Sequence, residues 1–414
     1  MTSTPSVPTL RERTRAVLAS RRDEVVALSH ALHADPELAY EEHRSARRTA
    51  DLVEAAGFET ERGAYGLPTA FRATAGSGDL VVALCAEYDA LPGIGHACGH
   101  NVNAAASVAA ALALAPFADE LGLTVKLLGT PAEESGGGKV DMLRAGAFDD
   151  VAAAMMVHAA PQDSVGMSSQ AISSWRVEYT GTAAHAAAMP ERGVNAADAM
   201  MIAQVAVAAY RQQMPPDTVV SGVVTHGGDA ANVIPARATA AYDCRAGTAA
   251  DLRALQARIR ACFEAGALAT GAGLALETVG NDYADLRQDF DIGRRYLAAA
   301  RDLGRTVQDL DPSLRGGSTD MGNVSHLVPT IHPMIGYDCG GTIMHNPDFT
   351  RYGTTPQADL AVLDGGLAMA WTALDLATGD RHRAGLLRRL ADRGAASAVA
   401  AEQEAGPGTL PTGG

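Results

Sequence analysis

The sequence has little that would direct the chain to a membrane or out of the cell. Its amino terminus, MTSTPSVPTLRERTRAV, lacks the apolar core and small-residue cleavage site of a secretory signal. The longest apolar run, 104–115, is too short to cross a bilayer and ends at Pro116, which favours a buried helix. Five cysteines, an odd number without paired spacing, indicate a reducing compartment. We therefore expect a cytoplasmic protein.

The sequence also lacks a block of basic residues. It contains 33 Lys and Arg against 48 Asp and Glu, a net charge of −15. This balance argues against nucleic acid or an anionic membrane as a partner. A hydrophobic content of 47% is ordinary for a globular protein, and 414 residues are enough for two or three domains of roughly 150 residues each.

Apolar runs of strand length alternate with helical stretches in the first part of the chain. The runs are DLVVALCAEYD, LTVKLLGTPAEE and VAAAMMVHAA, and helices are predicted over 11–33, 44–56, 104–115, 140–145 and 290–303. This alternation predicts β-α-β units and a parallel sheet, whose carboxyl edge collects ligands. The three runs bring to that edge Glu87 and Asp89, then Glu133 and Glu134, then His158.

The pattern changes after residue 171. A strand, SSWRVEYTG, and a helix over 195–210 are followed by two strands, VVSGVVTHG and ATAAYDCRAG, and a helix over 250–262. This order predicts a separate α+β domain with one antiparallel sheet and two helices. We therefore expect a catalytic domain over 1–170 and 284–395, an inserted domain over 171–283 and a flexible tail over 396–414. The first ten residues, rich in Ser, Thr and Pro, are expected to be disordered.

Four short segments carry candidate metal ligands. In GHACGHN, Cys98 and His100 are two residues apart, and both suit zinc. Inert packing is an alternative for Cys98, as is a nucleophile with His100 or His96 as its base. His158 after an apolar strand also fits a hydrogen-bonded core residue, and His345 lies in a loop, GGTIMHNPDF.

Adjacent glutamates stand in PAEESGGG, at the end of the second strand. One carboxylate of such a pair can hold a metal ion while its neighbour takes a proton from the attacking water. The alternative is a solvated acidic turn. Because Glu133 and Glu134 occur together with the cysteine and the histidines, we predict a hydrolytic metal centre.

A series of motifs resembles a known family. The motifs are EYDALPGIGHACGHN, GTPAEESGGGK, MMVHAAP, GTAAHAA, NVIPARA, GGSTDMGNVSHLVP and MHNPDF, over roughly residues 20–380. The chain resembles the dinuclear metallopeptidase family of aminoacylases, glutamate-releasing carboxypeptidases and amidohydrolases. Within it, the branch of hippurate, auxin-conjugate and p-aminobenzoyl-glutamate hydrolases is the most similar, together with β-alanyl-lysine dipeptidases. The resemblance implies an α/β fold: a zinc-peptidase-like catalytic domain with a mostly parallel sheet, and an inserted ferredoxin-like lid that dimerises.

The resemblance also implies roles for the motif residues. Two divalent metal ions, zinc or manganese with cobalt as an alternative, would be held by Cys98, His100, Glu134, His158 and His345. Glu133 would be the general base, and Asp89 would orient a metal ligand.

Further roles are implied in the lid. His185 would polarise the scissile carbonyl, in many relatives from the partner subunit. Asn232 and Arg245 would hold the substrate's carboxylate or backbone, although a salt bridge within the domain is an alternative for Arg245. The segment Ser318, Thr319 and Asp320 lines the site in relatives.

Two positions depart from the family pattern. Glu87 stands where most branches have a histidine ligand, which matches this branch because His100 brings the missing imidazole. Asn101 stands where many members have aspartate, so metal tuning or substrate preference is expected to differ.

The expected function is metal-dependent hydrolysis of the amide bond in small N-acyl or N-aminoacyl amino acids by a homodimer. Two alternatives stay open at this point: an inactive family member that serves only to bind ligands, and a thiol hydrolase that uses Cys98.

Overall fold

The computed structural model of this chain describes residues 6–309 and 316–405. The helices of these residues are α1 (Val7–Ser20), α2 (Arg22–Ala34), α3 (His43–Ala55), α4 (His100–Leu114), α5 (Gly138–Arg144), α6 (Ala196–Tyr210), α7 (Ala249–Thr270), α8 (Phe290–Asp302), α9 (Met321–Ser325), α10 (Pro356–Thr378) and α11 (Asp380–Ala405). The strands are β1 (Glu59–Arg62), β2 (Phe71–Ala75), β3 (Leu80–Ala86), β4 (Leu123–Gly129), β5 (Ala153–Met155), β6 (His158–Ala160), β7 (Ser164–Val165), β8 (Ala171–Thr180), β9 (Val219–His226), β10 (Arg237–Ala246), β11 (Gly273–Thr278), β12 (Gln308–Asp309), β13 (Thr330–Ile331) and β14 (Met334–Gly336).

A six-stranded sheet forms the centre of the catalytic part. Its strand order is β1-β2-β4-β3-β5-β13, and β4, β3, β5 and β13 run parallel to one another. Helix α4, every residue of which is buried, packs against β3 on one face of the sheet and also contacts α10. The α/β architecture with a mostly parallel sheet is confirmed. Helices cover both faces of a parallel sheet, so its strands are nearly continuous apolar runs and can be predicted from the sequence.

The third apolar run is not one strand, as predicted, but two strands in different sheets. Strand β5 belongs to the six-stranded sheet, whereas β6 joins a second sheet of order β12-β7-β14-β6. The partner strands break at the same level, since β13 ends at Ile331 and β14 begins at Met334, after Pro333. Proline has no N–H to continue a ladder, and the Pro333 carbonyl instead accepts a hydrogen bond of 2.9 Å from the backbone N–H of His158.

The inserted part has the predicted β-α-β-β-α order and adds a last strand, β11, which the sequence pattern did not predict. Its antiparallel sheet runs β11-β8-β10-β9 and is covered on one face by α6 and α7, which contact each other. Asn195 and Thr248 cap the two helices with their side chains. Its buried side chains, among them Trp175 and Phe263, form a core separate from that of the catalytic part. The sheet lies at 171–278, inside the predicted insertion.

The chain ends differ from expectation. Helix α1 begins at Val7, so disorder up to residue 10 was wrong for the described residues, and residues 1–5 lie outside them. The single helix predicted over 11–33 is two helices, α1 and α2, separated at Arg21. Helix α11 extends to Ala405 into the segment predicted as a tail, of which 406–414 lie outside the described residues.

Among the described helices, α10 alone is long and apolar enough to cross a bilayer by length and composition. Of its most apolar window, 78% is buried within the protein, where α10 packs on α4 and α8. Its apolar character is therefore that of a core helix.

Candidate metal centre

Five side chains from separate segments converge at the carboxyl edge of the six-stranded sheet. Cys98 ends the loop after β3 and His100 is the first residue of α4, while Glu134 follows β4. His158 opens β6, and His345 comes from the loop before α10. The backbone N–H of His345 donates to the Ala97 carbonyl over 2.9 Å, which ties this loop to the Cys98 segment.

The donor atoms of these side chains form overlapping groups in which they are close enough to one another to share a cation. Sγ of Cys98 is 3.6 Å from Nε2 of His158 and 3.4 Å from Nε2 of His345. Oε2 of Glu134 is 3.5 Å from Nε2 of His345, and its Oε1 is 3.8 Å from Nε2 of His100. Donor atoms of three overlapping groups lie within 4.8 Å of one another: Cys98, His100 and His158; Cys98, Glu134 and His345; His100, Glu133 and Glu134.

Neighbouring groups fix the orientation of the two buried imidazoles. Nδ1 of His100 is 2.9 Å from the backbone carbonyl oxygen of Asp89 and 3.1 Å from the side-chain Oδ1 of Asp89. Nδ1 of His158 is 2.8 Å from the backbone carbonyl oxygen of Ala159. Nδ1 of each ring therefore donates, and Nε2 of each ring faces the centre, where it can bind a cation once it carries no proton. The other oxygen of Asp89 accepts from the backbone N–H of Glu134 over 2.9 Å, so one carboxylate supports two members of the cluster.

The residues present fit a pair of divalent cations. Nε2 of His100 and Oε1 of Glu134 are both buried, and neither has a hydrogen-bond partner among the described residues. Buried polar atoms are nearly always paired, so these two atoms are available to a partner that is not a protein group, such as a cation. The sulfur, nitrogen and oxygen donors match the ligand set of zinc and related metals.

Glu133 lies beside this cluster but, unlike His158 and His345, does not contact the sulfur of Cys98. Its Oε2 is 3.8 Å from Nε2 of His100, and Tyr283 donates to its backbone carbonyl over 2.6 Å. The preceding residue, Ala132, has a φ of 60°, and its N–H is bound by Oε1 of Glu42 at 2.8 Å. A non-glycine residue in this region is strained, so the surrounding bonds hold Glu133 in a fixed direction.

Burial in a crowded acidic site shifts the titration of the cluster. Burial, reinforced by Glu87 and Glu134, raises the pKa of Glu133 well above its ordinary value, and burial likewise raises the pKa of the Cys98 thiol. Burial lowers the pKa of His158 to about 3. Burial opposes charge on His100 too, but the Asp89 carboxylate overcomes it and the pKa of His100 is raised. A cation would offset the excess of negative charge.

A cavity of about 760 Å³ opens from the cluster. Arg245 reaches its wall and donates to Ser318 over 3.2 Å, and Thr319 lies next to it. Much of the remaining wall is apolar, with three methionines, Met167, Met334 and Met344. The cavity therefore combines one cationic side chain with adaptable apolar surface.

The other residues singled out from the sequence lie in different places. His185 and Asn232 are exposed neighbours on the lid, where the Asn232 carbonyl accepts from the N–H of Ala186, and neither lines the cavity of its own chain. Asn101 points away from the cluster and donates to Ser29 and to the Gly353 carbonyl. The Asn101 amide thus joins α2 to the loop before α10, a role for which aspartate lacks the donor.

Sequence reasoning missed several residues of the site. His332, between β13 and β14, lines the cavity, stacks on His158 with ring centroids 5.3 Å apart, and has no hydrogen-bond partner for either ring nitrogen among the described residues. Tyr283 donates to the backbone carbonyl of Glu133, and Nζ of Lys139 donates to Oε1 of Glu87. A histidine inside the apolar VPTIHPMI was a signal for His332, whereas nothing near Tyr283 indicated its role.

Comparisons with known proteins agree with this geometry. Residues 168–270 match the family model of the peptidase dimerisation domain of M20 peptidases. The chain is 39% identical over 381 residues to the Xaa-Arg dipeptidase of Mus musculus, covering 86% of this chain and 88% of that protein. It is 35% identical over 260 residues to one of the subunits of the p-aminobenzoyl-glutamate hydrolase of Escherichia coli, covering 57% of this chain and 53% of that protein.

A solved structure shares the fold. The crystal structure of a dinuclear metal-binding M20 peptidase from Bacillus subtilis matches with a TM-score of 0.66 at 21% identity, over 86% of this chain and 99% of that one. The fold and the donor cluster define a metal-dependent hydrolase that acts on peptide or amide bonds. The chain belongs to the M20 peptidase family.

Proposed function

We propose that this chain hydrolyses the amide bond of dipeptides or N-acyl amino acids at a two-ion centre held by Cys98, His100, Glu134, His158 and His345. The observation that carries the proposal is the pair of buried, unpartnered ligand atoms, Nε2 of His100 and Oε1 of Glu134, within a cluster of sulfur, nitrogen and oxygen donors. The M20 membership and the dinuclear neighbour support two ions per chain. Zinc or manganese is proposed, with cobalt as an alternative.

The protein groups divide the work of hydrolysis between them. When bound, the cations lower the pKa of a water molecule and polarise the substrate carbonyl. Glu133 accepts the proton of that water and then passes it to the leaving amine. Glu133 is held in a fixed direction beside the cluster and does not contact Cys98, and this position suits a base better than a ligand. Asp89 keeps Nε2 of His100 facing the centre.

The substrate class rests on the cavity and on the relatives. Arg245, as a planar fork of donors beside Ser318, suits a free carboxylate on the leaving amino acid. The methionine-lined wall suits an apolar or mixed acyl group. The relatives support the same class, since the names of the mouse dipeptidase and of the E. coli p-aminobenzoyl-glutamate hydrolase both describe small amides of amino acids as substrates.

A homodimer through the lid is part of the proposal. Strand β9 is an edge of the lid sheet, and Val223 on it is 60% exposed; on α6, Met201 and Val205 are 55% and 64% exposed. An unpaired edge with apolar side chains favours pairing with a second copy. His185, exposed on the same domain, would then reach the partner's cavity and polarise the scissile carbonyl, with Asn232 beside it for the substrate.

A cytoplasmic location is proposed from the cysteines. All five are free thiols, and four of them are buried. Free thiols are typical of a reducing compartment.

The decisive experiment is a metal-dependence test on the full chain. We expect chelation to abolish hydrolysis, and Zn²⁺ or Mn²⁺ to restore it, in a screen of p-aminobenzoyl-glutamate, β-alanyl dipeptides and N-acyl amino acids read by amine release. Activity that survives complete removal of metal would instead support the Cys98 thiol hydrolase. Bound metal without turnover of any of these amides would support an inactive family member that only binds its ligands.

A further inference from the structure

Lys139, the second residue of α5, is completely buried beside the metal centre. Its Nζ donates to Oε1 of Glu87 over 2.5 Å and to Oδ1 of Asp320 over 2.6 Å, and both of those side chains are fully buried as well. Its backbone N–H donates to the other oxygen of Asp320 over 2.9 Å. Lys139 therefore joins the end of β3 to the segment before α9 by an internal ion-pair network.

The carboxylates around Lys139 form an acidic group of their own. Oxygens of Glu87, Glu133 and Asp320 lie within 4.8 Å of one another, a spacing that a divalent cation can bridge. Glu87 also faces the proposed two-ion centre, because its Oε2 is 3.7 Å from the unpartnered Nε2 of His100. A second side chain, that of Asn103, donates to Oε2 of Glu87 over a longer distance of 3.3 Å.

Lysine is a rare residue in this chain. Only two of the 33 basic residues are lysine, Lys126 and Lys139, and both are buried; all the others are arginine. Lysine carries a compact point charge with three donors, whereas the arginine fork is planar and larger. The space between Glu87 and Asp320 thus holds an ammonium group at the position where a small cation would otherwise fit.

We propose that the Lys139 ammonium replaces a metal ion in the acidic group of Glu87, Glu133 and Asp320, and so confines the bound ions to the cysteine and histidine side of the site. Lys139 is a positioning residue in this proposal: it keeps Glu87 out of the ligand set and leaves Glu133 free to act as a base. The proposal rests on the two-ion centre of the proposed function. It gives Glu87 an ionic partner instead of a metal.

Metal stoichiometry of the full chain tests the proposal. After exhaustive chelation, each variant is dialysed against Zn²⁺ or Mn²⁺, and the bound metal is measured by mass spectrometry. We expect Lys139→Met to bind one ion more per chain than the wild type, because the vacated acidic group then requires a cation. The double variant Lys139→Met with Glu87→Gln should return to the wild-type number.

Two further variants keep the test decisive. Lys126→Met removes the other buried lysine, whose Nζ bonds to Asp150 over 2.7 Å outside the cluster, and should bind the wild-type number of ions. Glu87→Gln retains the Lys139–Asp320 pair. It should bind the same number of ions as the wild type, with dissociation constants changed by no more than about twofold. This variant tests the proposal even if Lys139→Met does not fold.

Three results would overturn the proposal. Lys139→Met that folds but binds the same number of ions as the wild type would show that the ammonium does not replace a cation. A loss of metal by Glu87→Gln, or a weakening of about tenfold or more, would identify Glu87 as a ligand or a ligand support. An equal gain of metal in Lys126→Met would mean that any buried lysine has this effect. A wild type that binds no metal at all contradicts the proposed function itself, which separates the two failures.

Discussion

The carboxylate of Asp89 bonds to two of the candidate ligands at once: its Oδ1 lies 3.1 Å from Nδ1 of His100, and its Oδ2 accepts from the backbone N–H of Glu134. One buried acid therefore fixes both an imidazole and the start of the glutamate turn. Groups that orient metal ligands in this way contribute strongly to metal affinity, although they do not touch the ion.

We expect Asp89→Asn to weaken metal binding by about 10–100-fold while the fold is retained. The amide keeps the size of the carboxylate, but it can no longer accept with both oxygens. Competition with a coloured chelator measures the change. Asp51→Asn, a change at an exposed aspartate on α3, is the matched control. Equal metal affinity in Asp89→Asn and the wild type would contradict the orienting role.

We expect Glu133→Gln to lower kcat by about 10²–10⁴-fold because the amide cannot accept a proton from water. Metal content and thermal unfolding should stay those of the wild type, since Glu133 is a base and not a ligand in this proposal. The control variant Glu191→Gln, at an exposed lid position, should leave kcat, metal content and thermal unfolding unchanged. Loss of metal from Glu133→Gln would show instead that Glu133 is a ligand.

Metal binding should release protons and strengthen as pH rises. Burial raises the pKa of Cys98, and Asp89, against the effect of burial, raises the pKa of His100, so both groups hold protons in the metal-free protein at neutral pH. A ligand must lose its proton to bind a cation, and a lower pH therefore opposes binding. Calorimetric titration with Zn²⁺ in two buffers of different ionisation enthalpy measures the released protons, and identical heats in both would contradict the prediction.

Two inactive variants should restore each other's activity if His185 acts across the dimer. We expect His185→Ala and Glu133→Gln to be inactive alone, because each lacks one group of every site. A mixed dimer contains one site with an intact Glu133 and the partner's intact His185. Denaturing and refolding the two together should therefore recover hydrolysis, measured as amine release.

The same experiment has a structural control. Val223→Glu introduces a charge on the exposed edge strand β9 and should prevent both dimerisation, read by analytical ultracentrifugation, and the recovery of activity. Activity of His185→Ala equal to that of the wild type would remove His185 from the mechanism.

Arg245→Met should raise KM for substrates with a free carboxylate by about tenfold, in line with a charge-assisted hydrogen bond in a partly exposed site. For substrates in which that carboxylate is amidated, the KM of the variant should equal that of the wild type. Arg237→Met, on the same strand and paired with Glu178 at the surface, is the control. An equal change for acid and amide substrates would assign Arg245 to the domain's structure instead.

The central sheet and the convergence of the candidate ligands could be predicted because their residues lie in short motifs that are recognisable in the sequence. Strands β3 and β4 are continuous apolar runs, and Cys98, His100, Glu133 and Glu134 lie in short motifs directly after them. The break between β5 and β6 left no trace in its own segment, since it depends on Pro333 in a partner strand far along the chain.

Long-range partners explain the other gaps as well. Lys139 ends the motif GTPAEESGGGK, but its role could not be predicted because its partners, Glu87 and Asp320, are separated from it by 52 and 181 residues. The place of His332 in the site follows from its stacking on His158 and from its ring nitrogens, which have no partner among the described residues; neither property can be predicted from its own segment. The exposed position of His185 on its own chain depends on how the domains are arranged. The motif GTAAHAA carries no information about that arrangement.

The backbone of His345 has a φ of 66°, and its side chain is 58% exposed, whereas those of His100 and Glu134 are 0% and 7% exposed. Solvent therefore reaches the cluster from the His345 side, through a residue whose conformation is strained. In the proposed two-ion centre, an ion on that side would have one ligand that can rotate away without disturbing the core, whereas the buried His100 could not leave an ion in this way. The two cations should accordingly exchange with the medium at unequal rates, so that a partly loaded enzyme retains the inner ion and gains or loses the outer one first.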